Sequence, residues 1–157
     1  MNNNDILRRL RYTFDYSDSQ MIDLFTLAGD RVSREDVSNW LKREEDESFE
    51  KIKDVALATF LNGFIIQHRG KKDGPQPEPE RQLSNNQILR KVKIALQLKD
   101  TDMVDIMKLS GTTVSKHEIS AFFRKPTQSQ YRACLDQFLR NFFQGLQAKH
   151  RPKAKEE

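Results

Sequence analysis

Asn3-Asn4-Asp5-Ile6-Leu7-Arg8 returns as Asn85-Asn86-Gln87-Ile88-Leu89-Arg90, and the offset of 82 holds without a gap as far as His68-Arg69 on His150-Arg151. Between those ends Asp18, Met21, Asp23, Leu27 and Gly29 fall on Asp100, Met103, Asp105, Leu109 and Gly111. Residues 3–69 and 85–151 share 19 identities in 67 aligned positions, and most of the rest are conservative, such as Trp40 against Phe122 and Phe49 against Tyr131. Self-similarity at one fixed period is the mark of a duplicated structural unit, and it decides the architecture before any element is assigned.

Inside each copy the apolar residues recur at helical spacing, and no stretch alternates with period two for long enough to make a strand. The expected fold is therefore all-α, with two tandem repeats of about four helices each. A unit of this size holds only a marginal core, so the repeats are expected to pack together. The first helix opens after Asn3 or Asn4 and puts Ile6, Leu7, Leu10 and Phe14 on one face. The second runs from Asp18 to Gly29 and its copy from near Asp100 to Gly111, with glycine supplying a left-handed residue past the helix end. The third follows the capping serines Ser33 and Ser115. The fourth and longest carries Phe49, Ile52, Phe60 and Phe64, matched by Tyr131, Cys134, Phe142 and Leu146. Its second copy is expected to start near residue 127, where Pro126 precedes a Thr127/Gln130 capping pair. Gly63 and Gly145 lie inside this helix at a cost of about 1 kcal/mol each against alanine. That cost points to a close helix crossing, with the contact between the repeats as the natural place. The domain boundaries read as 1–69 for the first repeat, 70–84 for a Pro/Gly-rich linker, 85–151 for the second repeat and 152–157 for a frayed tail.

Net charge is +4 over 157 residues, but it is unevenly shared. Residues 1–69 carry 10 Lys and Arg against 13 Asp and Glu, a net −3; residues 85–151 carry 12 against 5, a net +7. A basic copy beside an acidic one points to a polyanion, or to the acidic copy of another chain. No apolar run approaches the ~20 residues of a membrane span. The opening Met1-Asn2-Asn3-Asn4-Asp5 has neither a basic nor an apolar region of a leader, and Cys134 has no cysteine to pair with. The expected setting is cytoplasmic.

The pair of helices joined through Gly29 or Gly111 has the shape of a helix-turn-helix unit. In repeat 2 the outward residues of its second helix would be Lys116, His117, Ser120, Arg124 and Lys125, types that suit phosphates and base edges. Repeat 1 argues the other way, because Glu44-Glu45-Asp46-Glu47 would repel a phosphate backbone. A second cationic set, Arg8, Arg9 and Arg11 with Arg90, Lys91 and Lys93, lies on the polar side of both first helices. It reads either as an anion site or as ion-pair partners of Asp23 and Asp105. No catalytic constellation, metal-ligand spacing or phosphate-cradling glycine loop stands out, so no cofactor is expected, and Cys134 reads as a buried small apolar residue.

The double Asn-Asn-x-Ile-Leu-Arg opening, Trp40-Leu41-Lys42 before an acidic run, Phe60-Leu61-Asn62-Gly63 and the linker Pro77-Glu78-Pro79-Glu80-Arg81 together resemble the YehS-like family of uncharacterised bacterial proteins. The resemblance covers residues 2–150 and implies a bacterial cytoplasmic protein with a tandem all-α fold. It implies no catalytic or binding residue. The function read from the residues is a non-enzymatic binding module, with nucleic acid as ligand through basic repeat 2: Lys116, His117, Ser120, Arg124, Lys125, Arg90, Lys91 and Lys93. The alternative is a protein-interaction or structural adaptor without nucleic-acid contact. DNA, RNA and protein stay open as partners, as does the oligomeric state.

Overall fold

A computed structural model describes residues 1–151 as eight helices; the tail read as frayed, 152–157, lies outside the described residues. In order these are α1 (Asn3–Phe14), α2 (Asp18–Leu27), α3 (Arg34–Leu41), α4 (Asp54–Arg69), α5 (Asn85–Ala95), α6 (Asp100–Leu109), α7 (Lys116–Ala121) and α8 (Asp136–His150). No strand occurs among the described residues. The fold is all-α in two tandem sets of four helices, as the repeat requires.

The helix starts follow from side chains that bind the orphan amides of a first turn. Asn2, Ser17, Ser33, Ser84 and Ser115 each close a capping box with the acid or glutamine three residues on. The caps of α1 and α5 are thus Asn2 and Ser84, upstream of the Asn-Asn pairs first read as caps. Gly29 and Gly111 end α2 and α6 with φ of 85° and 81°. There the chain folds back so that the Asp30 and Thr112 amides reach the carbonyls of Phe25 and Met107.

The Asn-Asn pairs have a different task. The Asn4 side chain is buried, donates to the carbonyls of Trp40 (2.8 Å) and Glu50 (2.9 Å), and accepts from the Ile52 amide (3.2 Å). Asn86 repeats this with Phe122 (3.0 Å), Arg132 (2.8 Å) and the Cys134 amide (2.8 Å). Each asparagine clamps the end of the third helix to the extended segment before the fourth. Asn3 and Asn85 add a bond to the first residue of that helix, Asp54 or Asp136, at 2.7 Å in both copies.

These clamps correct the expected helix start near 127. Residues 131–135 are not helical, Leu135 is extended, and α8 begins at Asp136. Thr127 and Gln130 form no cap. Instead Gln128 Oε1 accepts from the Lys125 amide (2.8 Å) and the Gln128 amide donates to the Lys125 carbonyl (2.9 Å), closing a turn. Backbone groups held by Asn86 are not free to enter a helical ladder, so local propensity loses to tertiary bonding.

Both mid-helix glycines mark close crossings, but within each repeat and not between them. A Cβ on Gly63 would overlap the Leu24 carbonyl of α2, and one on Gly145 the Ile106 carbonyl of α6. The repeats meet through a reciprocal arrangement: α4 lies on α5, and α8 lies on α1, so the fourth helix of each copy covers the first helix of the other. The core is continuous across both copies, from Phe25, Phe60 and Phe64 to Phe142 and Phe143. Where the halves meet, Phe14 contacts Phe64, His68 and His150, and the Tyr16 hydroxyl and His68 Nε2 are hydrogen-bonded at 2.7 Å. No helix among the described residues is long and apolar enough to cross a membrane.

Candidate functional site

The eight residues singled out from the sequence separate into three groups. Lys116, His117 and Ser120 lie on α7, with Lys116 and His117 exposed and the Ser120 hydroxyl turned back to the His117 carbonyl at 3.0 Å. This helix has six residues, about 9 Å of length, against the several turns a groove-reading helix uses.

Lys91 and Lys93 are engaged by partners within the protein. Lys91 is 8% exposed, donates to Asn62 Oδ1 at 2.6 Å and pairs with Glu80 of the linker at 3.0 Å. It is therefore withdrawn from the nucleic-acid contact set read from the sequence. Lys93 pairs with Asp100 at 3.5 Å and sits 4.9 Å from the centre of the Phe123 ring. Its counterpart Arg11 pairs with Asp18 at 3.1 Å. The acids that serve this stripe are thus Asp18 and Asp100 at the starts of α2 and α6, not Asp23 and Asp105. The first residue of the second helix faces the last turn of the first, whereas residues five positions on are exposed.

Arg90, Arg124 and Lys125 converge. They line a groove of about 740 Å³ that runs between the start of α5 and the turn after α7, with Phe122 and Tyr131 in its wall. Arg90 reaches it while donating to the Phe123 carbonyl at 2.6 Å, which anchors the guanidinium. The Arg124 Nε atom is buried and has no hydrogen-bond partner among the described residues. An unsatisfied buried donor on a cation is costly, which makes it a natural place for an incoming acceptor. Lys125 is exposed at the rim. One carboxylate lines the groove, Glu80, and it is the partner of Lys91.

The first copy builds the same turn with opposite charge. The Asp46 amide donates to the Arg43 carbonyl and the Phe49 amide to the Asp46 carbonyl, both at 3.0 Å. The aligned bonds in the second copy, Gln128 to Lys125 and Tyr131 to Gln128, are 2.9 and 3.1 Å. Over this conserved geometry Glu44-Glu45-Asp46-Glu47 stand where the second copy has Pro126-Thr127-Gln128-Ser129. The turn after the third helix therefore carries four acids in repeat 1 and none in repeat 2, where its Pro126 lines the groove.

Sequence reasoning missed Tyr131, assigned to a helix face, and Glu80, assigned to a plain linker. A signal for Glu80 was present: Lys91 sits three residues after Ile88 and four before Ala95, on the apolar stripe, where a cation needs an internal partner. Cys134 is buried, and burial with the nearby Asp136 carboxylate pushes its thiol up to about 12, which suits a packing role. Among the described residues no group of three or more His, Cys, Asp or Glu side chains is placed to hold a metal ion.

A family model described as "Protein of unknown function (DUF1456)" matches residues 3–70 and again 85–151. The uncharacterized protein YehS of Escherichia coli (strain K12) is 38% identical over 154 residues, which covers 98% of this chain and 99% of that one. No solved structure gives a significant match.

Proposed function

This chain belongs to the DUF1456 family, and we propose that it is a non-enzymatic module that binds single-stranded nucleic acid in the α5–α7 groove of repeat 2. Arg90, Arg124 and Lys125 hold backbone phosphates, and Tyr131 offers an aromatic ring on which a base stacks. The observation that carries this reading is the convergence of three cations on a groove whose surrounding turn has lost the acids of the first copy. The shortness of α7 favours a single strand over insertion of a helix into a duplex.

The test is fluorescence anisotropy of labelled 12-nucleotide RNA and DNA oligomers with the full chain across a salt series. Binding is expected to weaken steeply with salt, and Arg90→Glu with Lys125→Glu is expected to weaken it at least tenfold without changing the thermal midpoint by more than a few degrees. Salt-independent binding, or a folded double variant that binds as wild type does, overturns the reading. The alternative, an adaptor in which acidic repeat 1 of one chain meets basic repeat 2 of another, rests on the −3 and +7 of the two copies. It predicts that nuclease leaves a salt-sensitive self-association intact.

A further inference from the structure

The reciprocal packing of the repeats creates two equivalent grooves, and the chain has treated them differently. Between α8 and α1 the groove is open and polar, with Arg9, Tyr12, Arg140 and Gln147 in its walls. Between α4 and α5 the equivalents of Tyr12 and Gln147 are Ile94 and Ile65, joined by Ile66. The linker belongs to this side alone, and its Lys72, Pro75, Gln76 and Pro77 join the lining. The result is a chamber of about 350 Å³, within the range of small-molecule sites.

The floor of this chamber is polar and built. Asn62 and Lys91 are both buried, at 7% and 8% exposure, and are bonded to each other at 2.6 Å. An ammonium has three donors, and Asn62 takes one of them while Glu80 Oε1 lies 3.0 Å away as an ion-pair partner. Burying an ion pair gives little net stability over an apolar pair of the same size, so its presence beside an apolar chamber calls for another use. Arg69, Lys72 and Arg90 also line the chamber, so four cations face one carboxylate. An apolar wall with excess positive charge at its floor and rim fits a ligand with an apolar body and one anionic head.

We propose that the α4–α5 chamber, lined in part by the linker, is a binding site for a small amphiphilic anion whose headgroup lies on Lys91 with Arg69 and whose apolar body lies against Ile65, Ile66 and Ile94. The site adjoins the nucleic-acid groove, with Glu80, Gln87 and Arg90 lining both, and it stands whether or not that groove binds a nucleic acid.

Isothermal titration calorimetry of the full chain with decanoate, decyl phosphate and decylamine tests this. One anion per chain is expected, with the tighter of decanoate and decyl phosphate identifying the headgroup and decylamine at least tenfold weaker. Ile66→Trp fills the chamber without touching the groove and is expected to weaken anion binding at least tenfold. The paired change Lys91→Gln with Glu80→Gln removes the floor charge and keeps an amide donor toward Asn62, and is expected to bring the anions down to the level of decylamine. No saturable binding of either anion, equal binding of decylamine, or wild-type affinity in either folded variant overturns the proposal.

Discussion

Asn4 and Asn86, both buried side chains, are each asked to satisfy three backbone groups. Removing such a side chain strands the groups it served, at about 1–3 kcal/mol for each one left unsatisfied. Asn86→Ala is therefore expected to cost about 3 kcal/mol or more, measured by urea denaturation, while the partly exposed Asn85→Ala costs about 1 kcal/mol. The glycines separate in the same way. Helix propensity alone says that Gly145→Ala stabilises by about 1 kcal/mol. The Ile106 carbonyl in the path of the new methyl group reverses the sign, to a loss of about 3 kcal/mol, because backbone cannot give way as a side chain does. Gly111→Ala meets no neighbour and loses about 1 kcal/mol through its φ of 81° alone. The sequence announced that both kinds of glycine mattered, since they recur at the same register. It left open which helix Gly63 and Gly145 lie against, because a crossing partner is a tertiary fact.

Among the elements, apolar faces and the Ser33 and Ser115 caps were legible because they depend on neighbours within one turn. The start of α8 was not, because a side chain 48 residues away, Asn86, holds Cys134 out of the helix. The ends of α1 and α5 were hidden for a related reason: Asp15 and Gln97 adopt φ of 54° without being glycine. The last turns of α4 and α8, both of which place a histidine against Phe14, carry a pH dependence. Burial, with the nearby positive charge of His150, holds His68 below its ordinary 6.5; burial, with Lys149, does the same to His150. A depressed folded value means that the unfolded chain takes up more protons, so stability falls as pH drops through and below about 6.5. The thermal midpoint is expected to decline between pH 7.5 and pH 5, above the range where most carboxylates titrate. The decline should flatten in His68→Gln with His150→Gln. An equally steep decline in that variant would place the titrating groups elsewhere.

At the scale of the whole molecule, one scaffold appears twice and carries two surfaces. The difference between −3 and +7 was legible from the sequence, but its location was not. Residues 44–50 sum to −5 and residues 126–132 to +1, so one seven-residue turn accounts for six of the ten charge units that separate the copies. Of the eight residues first proposed as contacts, Arg90, Arg124 and Lys125 share the groove beside that turn, while Lys91 and Lys93 are engaged by internal partners. A cation's place on a helical wheel does not say which buried acid or carbonyl will claim it. Because the turn has the same backbone bonds in both copies, the acids can be moved without disturbing the fold. The variant Pro126→Glu, Thr127→Glu, Gln128→Asp, Ser129→Glu gives repeat 2 the turn charge of repeat 1. Its oligonucleotide affinity, measured by anisotropy beside its thermal midpoint, tests the central claim most directly. The account predicts a midpoint within a few degrees of wild type and binding weakened at least tenfold; full binding by the folded variant contradicts it.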